Sequence, residues 1–173
     1  METARLIIDR IRESDRYDYF TSISHDRKVL ETFMARYAET LDEVNITPYV
    51  NYPTMFAIRL KETGKLIGTI LSFEEKDDHC EIGYALSSRY WNQGYMSEAV
   101  NCFLDYLFAE KGVNRVYASY FTGNEASRRV MEKVGMTYDR FVERELEYRG
   151  QPRDVVYYVI DRDRWKTLRN KFD

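Results

Sequence analysis

The sequence predicts a single α+β domain, residues 1–173, built on a mixed, mostly antiparallel sheet flanked by helices. Three observations carry that prediction. Apolar residues recur at three- and four-residue spacing early in the chain and again around Val100 and Met131, whereas from Met55 the pattern shifts to the strand period. The strand-like runs after Met55 are joined by very short links, which makes them antiparallel neighbours. Further on the order becomes strand, helix, strand, helix, and a strand pair joined through a helix can run parallel.

In chain order, "ARLIID" (Ala4 to Asp9) reads as a first strand, and Ser14 as the cap of a helix through Tyr19 and Phe20. A longer helix is expected from about Asp26 to Glu43, where Val29, Leu30, Phe33, Met34 and Tyr37 share one face. "NITPYVNYP" holds two of the three prolines and reads as a loop, its Tyr49 and Tyr52 being candidates for a substrate wall. "MFAIRL", the turn "KETGK" and "LIGTILSFEE" form a hairpin; "KDD" turns the chain again into "HCEIGYALS". A helix follows with Met96, Val100, Phe103, Leu104, Leu107 and Phe108 on one face, ending near Gly112. "NRVYASYF" is a strand, and "NEASRRVMEKVG" a helix capped by Asn124 with Val130, Met131 and Val134 inward. "RFVERELEYRGQPRDVVYYVID" closes the chain as a hairpin turning at Gly150 to Arg153.

Composition removes several function classes. Hydrophobic residues at 44% and charged residues at 32% describe a folded globular chain. A net charge of −3 argues against general nucleic-acid binding. No apolar run reaches membrane-spanning length, and the charged start "METARLIIDRIRESDR" is unlike a signal peptide, so a cytoplasmic protein without membrane association is expected. In that compartment Cys80 and Cys102 are expected as small, buried, reduced thiols. His25 and His79 stand far apart with no Cys at ligand spacing, so no metal is expected. The G-x-G-x-x-G and G-x-x-x-x-G-K-[ST] phosphate loops and the G-x-S-x-G nucleophile motif are all absent.

The informative stretch is "RYWNQGYMSEAV". Gly94, one of only 8 glycines, sits where a strand hands over to a helix. The first turn of a helix has unpaired amides and a partial positive charge, and a glycine there lets an anion approach them. A tight turn would also account for it. A second junction lies at Asn124, followed by Ser127, Arg128, Arg129 and Lys133. The crossover puts both junctions at one end of the strands, where ligands bind in parallel arrangements. The basic residues could equally be a solvated helix face.

Taken together, "TARLIIDRIRESD", "EIGYALSSRYWNQGYMSEAV", "NEASRRVMEKVGM" and the final hairpin resemble a GCN5-related N-acetyltransferase (GNAT), in particular the branch of ribosomal-protein N-terminal acetyltransferases. The resemblance covers essentially the whole chain. The family's phosphate loop, Q/R-x-x-G-x-G/A, aligned through Gly94 places Trp91 first and Met96 last, so the final small residue is replaced. The fold implied is a sheet splayed at an acetyl-CoA site.

The resemblance implies acetyl-CoA as co-substrate and a primary amine as acceptor. It assigns the pyrophosphate to the amides of Gln93, Gly94, Tyr95, Met96 and Ser97, and the pantetheine arm to backbone groups of Ala85 and Leu86 and to Asn124. Arg129 or Lys133 would meet phosphate. Glu81 is the candidate base, acting through water on the attacking amine. Ser127 is the candidate partner of the departing thiolate, with Tyr138 in reserve. Each has a plainer alternative: a solvated strand carboxylate, a small helix residue, a core ring. Glu143, Glu145 and Glu147 alternate along the last hairpin and could draw a cationic amine, or simply form a wet face. A protein or peptide N-terminal amine is the acceptor this branch favours; polyamines, antibiotics and amino-acid-like compounds are the alternatives, as is a non-catalytic acyl-CoA sensor. The fold also admits a homodimer.

Overall fold

A computed structural model describes residues 1–76 and 78–170. Its sheet has seven strands in the order β1-β2-β3-β4-β5-β7-β6. They are β1 Leu6–Arg10, β2 Met55–Leu60, β3 Leu66–Lys76, β4 His79–Leu86, β5 Arg115–Phe121, β6 Thr137–Tyr148 and β7 Gln151–Asp161. The strands joined by short links, β2–β3 and β6–β7, are antiparallel as the sequence foretells, and so are β1–β2 and β5–β7, whose partners lie far apart in the chain. The strands joined through a helix, β4 and β5, are parallel, with Cys80 opposite Val116 and Ile82 opposite Ala118. The turn expected at "KDD" includes Asp77, which lies outside the described residues.

The chain divides into two compact units, Met1–Ser72 with Tyr84–Cys102, and Phe73–Gly83 with Phe103–Asp173. In the first, Ile11, Tyr19, Ile23, Val29, Ala38, Ile46, Ala57 and Leu66 belong to one buried cluster. A Cβ on Gly68 would stand 2.5 Å from the carbonyl oxygen of Ala85, so only glycine lets these backbones pass. The buried Arg59 forks onto Asp15, with Nη1–Oδ1 at 2.6 Å and Nη2–Oδ2 at 2.7 Å, and its Nε donates to Asp9 at 2.6 Å. Burial alone would raise the Asp15 carboxyl; the Arg59 hydrogen bonds and the Arg12 backbone N–H overcome it and hold it below its ordinary value.

Three expectations for this unit are corrected. Ser14 lies inside a 3₁₀ turn, Glu13–Asp15, and the box that opens it joins the Arg12 N–H to the Asp15 carboxylate; α1 (Arg16–Tyr19) follows and widens into a looser turn, Phe20–Ser24. The long helix at 26–43 does not form. Only 3₁₀ turns at Val29–Glu31 and Leu41–Glu43 appear, because Ser24 accepts from the Ala38 N–H at 3.0 Å and the His25 ring meets the Ala38 carbonyl at 2.9 Å. That clamp closes the segment into a loop that buries Val29, Leu30 and Ala38 and leaves Met34 outside. In the proline segment, one helical turn, α2 (Thr47–Val50), forms with Pro48 in its first positions, where a missing N–H costs nothing.

The helix α3, Tyr95–Asp105, runs on as a wider turn, Tyr106–Glu110, to Gly112 at φ +77°. Met96, Val100, Phe103, Leu104, Leu107 and Phe108 are all buried, as their spacing requires. In the second unit, α4 (Glu125–Lys133) is capped by Asn124, whose side-chain oxygen accepts from the Ser127 N–H. Met131 and Val134 are buried there and Val130 only half-buried, a small correction. The hairpin turns at Arg149–Gly150, both at positive φ, not across Gly150 to Arg153. The chain does not end with it: α5 (Arg162–Arg169) follows, capped by Asp161, and its Trp165 stacks on Phe108 with centroids 5.3 Å apart. Among the described residues no helix is long and apolar enough to cross a membrane.

Candidate active site

In the first unit, the segment between β4 and α3 is pinned at both ends. The Asp26 carboxylate accepts the Ser88 N–H at 2.8 Å, and the Trp91 indole N–H donates to the Leu86 carbonyl at 2.8 Å. At the far end, Arg5 donates to the Gln93 carbonyl at 3.0 Å, lies 4.1 Å over the Tyr95 ring, and pairs with Glu98 at 2.7 Å. Burial pushes the Glu98 carboxyl up, but hydrogen bonds from Thr3 and from the Arg5 backbone and guanidinium overcome that and hold it below its ordinary value. Glu98 is therefore a committed anion, already neutralised by Arg5.

Between these pins the backbone takes two left-handed steps, Asn92 at φ +59° and Gly94 at φ +81°. Gly94 accepts the Glu98 N–H, so it caps α3, and the first-turn amides of Tyr95, Met96 and Ser97 have no helical partner. A Cβ at Gly94 would meet nothing nearer than Arg5 Nη2 at 3.5 Å. The Met96 and Ser97 side chains are buried, so the large residue in the last loop position turns its bulk inward. A helix N-terminus whose first-turn amides lack helical partners, behind a left-handed glycine, is the kind of arrangement that receives an anion.

In the second unit, Glu81 is half-buried on β4 and accepts from Ser119 Oγ at 2.6 Å. The β4–β5 ladder stops at Ile82, so the backbone of Ala85 and Leu86 takes no part in it. On α4, the capping oxygen of Asn124 is committed to the Ser127 N–H at 3.2 Å, and Ser127 is half-buried in the first turn. Arg129 and Lys133 are exposed, whereas Arg128 is engaged by Glu125 at 2.7 Å and Glu132 at 3.0 Å.

Residues 5–137 match the model of the acetyltransferase (GNAT) domain. The chain belongs to the GNAT acetyltransferase family. "Uncharacterized N-acetyltransferase YoaA" of Bacillus subtilis is 28% identical over 95% of this chain and 97% of its own length. "Putative ribosomal N-acetyltransferase YdaF" of the same organism is 30% identical over 60% of this chain and 57% of its own. The crystal structure of a GNAT-family acetyltransferase from Bacillus anthracis superimposes with a TM-score of 0.84 at 26% identity, covering 94% of this chain and 98% of that one.

Several expectations for this GNAT enzyme change. Tyr138 is exposed on β6, its ring edge-on to Tyr158 at 6.3 Å, and is not a core ring. Glu143, Glu145 and Glu147 do not alternate along a regular strand, because Arg144 at φ +51° makes a bulge between Val142 and Leu146. All three are exposed, and Glu145 accepts the Tyr157 hydroxyl at 2.9 Å. Cys80 is buried but Cys102 only half-buried, its thiol 3.7 Å from the Glu2 carbonyl. Sequence reasoning missed Arg5, Asp26 and Ser119. Each reaches its partner across 38 to 93 residues, a distance no local pattern reports.

Proposed function

We propose that this GNAT enzyme, a single domain of the cytoplasm, transfers the acetyl group of acetyl-CoA to a primary amine, with a peptide N-terminal amine as acceptor class. The observation that carries the cofactor assignment is the opening of α3, where Gly94 at φ +81° precedes first-turn amides without a helical partner and its Cβ position meets only Arg5 Nη2, at 3.5 Å. Gln93, Gly94, Tyr95, Met96 and Ser97 would hold the pyrophosphate by their backbone N–H groups. The Leu86 carbonyl is occupied by Trp91 and the Ala85 carbonyl lies against β3 at Gly68, so of the two residues the Leu86 N–H is the group that would serve the pantetheine arm. Asn124 keeps its Nδ2 donors for the same arm, and Arg129 and Lys133 would serve the phosphates. The likeness to YdaF, by its name a ribosomal N-acetyltransferase, supports a protein amine as acceptor.

In the transfer, Glu81 takes a proton from the attacking amine directly or through one water. The hydrogen bond from Ser119 holds its carboxylate in one orientation for that task. The amine nitrogen bonds to the thioester carbonyl carbon, the carbon–sulfur bond breaks, and Ser127 donates a hydrogen bond to the departing sulfur. The protein's share is alignment and proton handling, the activated acyl group being the co-substrate's own. The test is thiol release from acetyl-CoA, corrected for hydrolysis, against N-terminal peptides, polyamines, aminoglycosides and free amino acids. A clear acceptor supports catalysis. Binding of acetyl-CoA without transfer to any amine would instead favour a sensor.

A further inference from the structure

In the second unit a pocket of about 240 Å³ is lined by Lys76, His79, Glu81, Tyr117 and Arg140. His79 and Glu81 are two apart on β4 and share a face, and Tyr117 stands opposite Glu81 on β5. Arg140, on β6, holds its guanidinium carbon over the Tyr157 ring, 3.7 Å from its centre, and 5.8 Å from the centre of Tyr117. Stacking of this kind orients the guanidinium while leaving its edge donors for a ligand. Among the described residues the carboxylate that lines the pocket is Glu81, the residue assigned above to the amine. The other charged lining groups, Lys76 and Arg140, are cations.

We propose that this pocket selects an acceptor whose primary amine is accompanied by a carboxylate, the amine facing Glu81 and the carboxylate taken by Arg140 and Lys76. The inference rests on Glu81 serving the amine in acetyl transfer. An extended polyamine would bring a second ammonium against Arg140 and Lys76, and like charges repel. Among the described residues, nearby acidic groups do not cancel the cations. Asp139 engages Arg140 only through Nη1, at 2.6 Å, as a pair between exposed chain neighbours. Asp78 meets His79 Nδ1 at 3.2 Å, and Glu145 is engaged by the Tyr157 hydroxyl. A carboxylate can take up the planar donor edge of Arg140 with two parallel hydrogen bonds, which the ammonium of a lysine could not reproduce. The partner chemistry has two sources, a free amino acid or an acidic residue at the start of a peptide.

The experiment measures kcat/KM for matched pairs with the full chain and acetyl-CoA. One pair is a free amino acid and its amide; the other is an amidated tripeptide beginning with Glu and one beginning with Gln. The proposal expects at least one carboxylate member to exceed its neutral twin on the order of tenfold, the scale of one charge-assisted contact at a half-exposed site. Whichever pair shows the preference identifies the source. The ratio should fall towards one in Arg140→Gln and in Lys76→Gln, and Arg140→Lys should restore only part of it. Both side chains are exposed, so these variants should keep the wild-type melting temperature. Transfer to amines with a ratio near one, a preference that survives both substitutions, or spermidine as the best acceptor would overturn the proposal and leave acetyl transfer standing. Silence with every amine, while calorimetry still detects acetyl-CoA, would overturn acetyl transfer and this inference together.

Discussion

Replacing Gly94 with Glu separates an anion cradle from a mere tight turn. Any side chain at this position must adopt φ +81°, which costs about 1–2 kcal/mol in the left-handed region. For a chain of this length that lowers the melting temperature by about 2–4 °C per kcal/mol. Sterically little else happens in the free protein, because the new Cβ meets only Arg5 Nη2, at 3.5 Å. The electrostatic effect is larger. A carboxylate about 5 Å from one phosphate charge, at an effective dielectric constant of about 20, opposes it by about 3 kcal/mol. That weakens Kd for acetyl-CoA by roughly 100- to 200-fold. Gly94→Gln carries the same backbone strain without the charge and is the control. Calorimetry with acetyl-CoA on both folded variants decides the matter. If Gly94→Glu binds within about twofold of wild type, no pyrophosphate lies against these amides and the cradle assignment is wrong.

Ser127→Ala should lower kcat with little change in Kd for acetyl-CoA, and a wild-type turnover number would remove the hydroxyl from the mechanism. Glu81→Gln should lower kcat/KM on the order of 100-fold, the usual size of a general-base effect, while the melting temperature stays near that of wild type. For Asp15 the sign follows from its lowered folded pKa: the stability it contributes is present above the ordinary carboxylate range and is lost as pH falls through the folded value. Thermal melts of the wild type should therefore begin to weaken below roughly pH 4. At neutral pH, Asp15→Asn should cost about 3 kcal/mol by leaving buried Arg59 short of a partner, although Asp9 remains. A neutral-pH melting temperature equal to wild type would refute that account.

The sheet was readable because its evidence is local. The apolar run of β2, the alternation at the start of β4, the three-to-four spacing of α3 and the cap at Asn124 each lie within a dozen residues. The segment at 26–43 misled because its apolar spacing fits a helix, whereas the Ser24–Ala38 and His25–Ala38 contacts are tertiary and override propensity. The last helix escaped notice because only Trp165 and Leu168 mark its apolar face, although Asp161 was a usable cap signal. The bulge at Arg144 carries no glycine to announce it, so three glutamates that alternate in sequence do not alternate in space.

The same division runs through the site. Gly94 announces itself because a glycine between a strand and a helix is a local event, but its neighbours hold their shape through residues far away in sequence. Arg5 belongs to the segment leading into β1, and Asp26 to the loop that replaces the expected helix; one holds the Gln93 end of the connection and the other the Ser88 end. Two left-handed residues in a short exposed connection would otherwise have many alternatives, and ordering them when the ligand arrived would be subtracted from its affinity. Here that ordering is done on folding. The irregular loop around Asp26 thus has a reason that helical spacing could not reveal: a continuous helix there would have lacked the Ser24–Ala38 clamp, whereas in this loop the Asp26 carboxylate accepts the Val29 N–H through Oδ1 at 3.4 Å and holds Ser88 through Oδ2 at 2.8 Å.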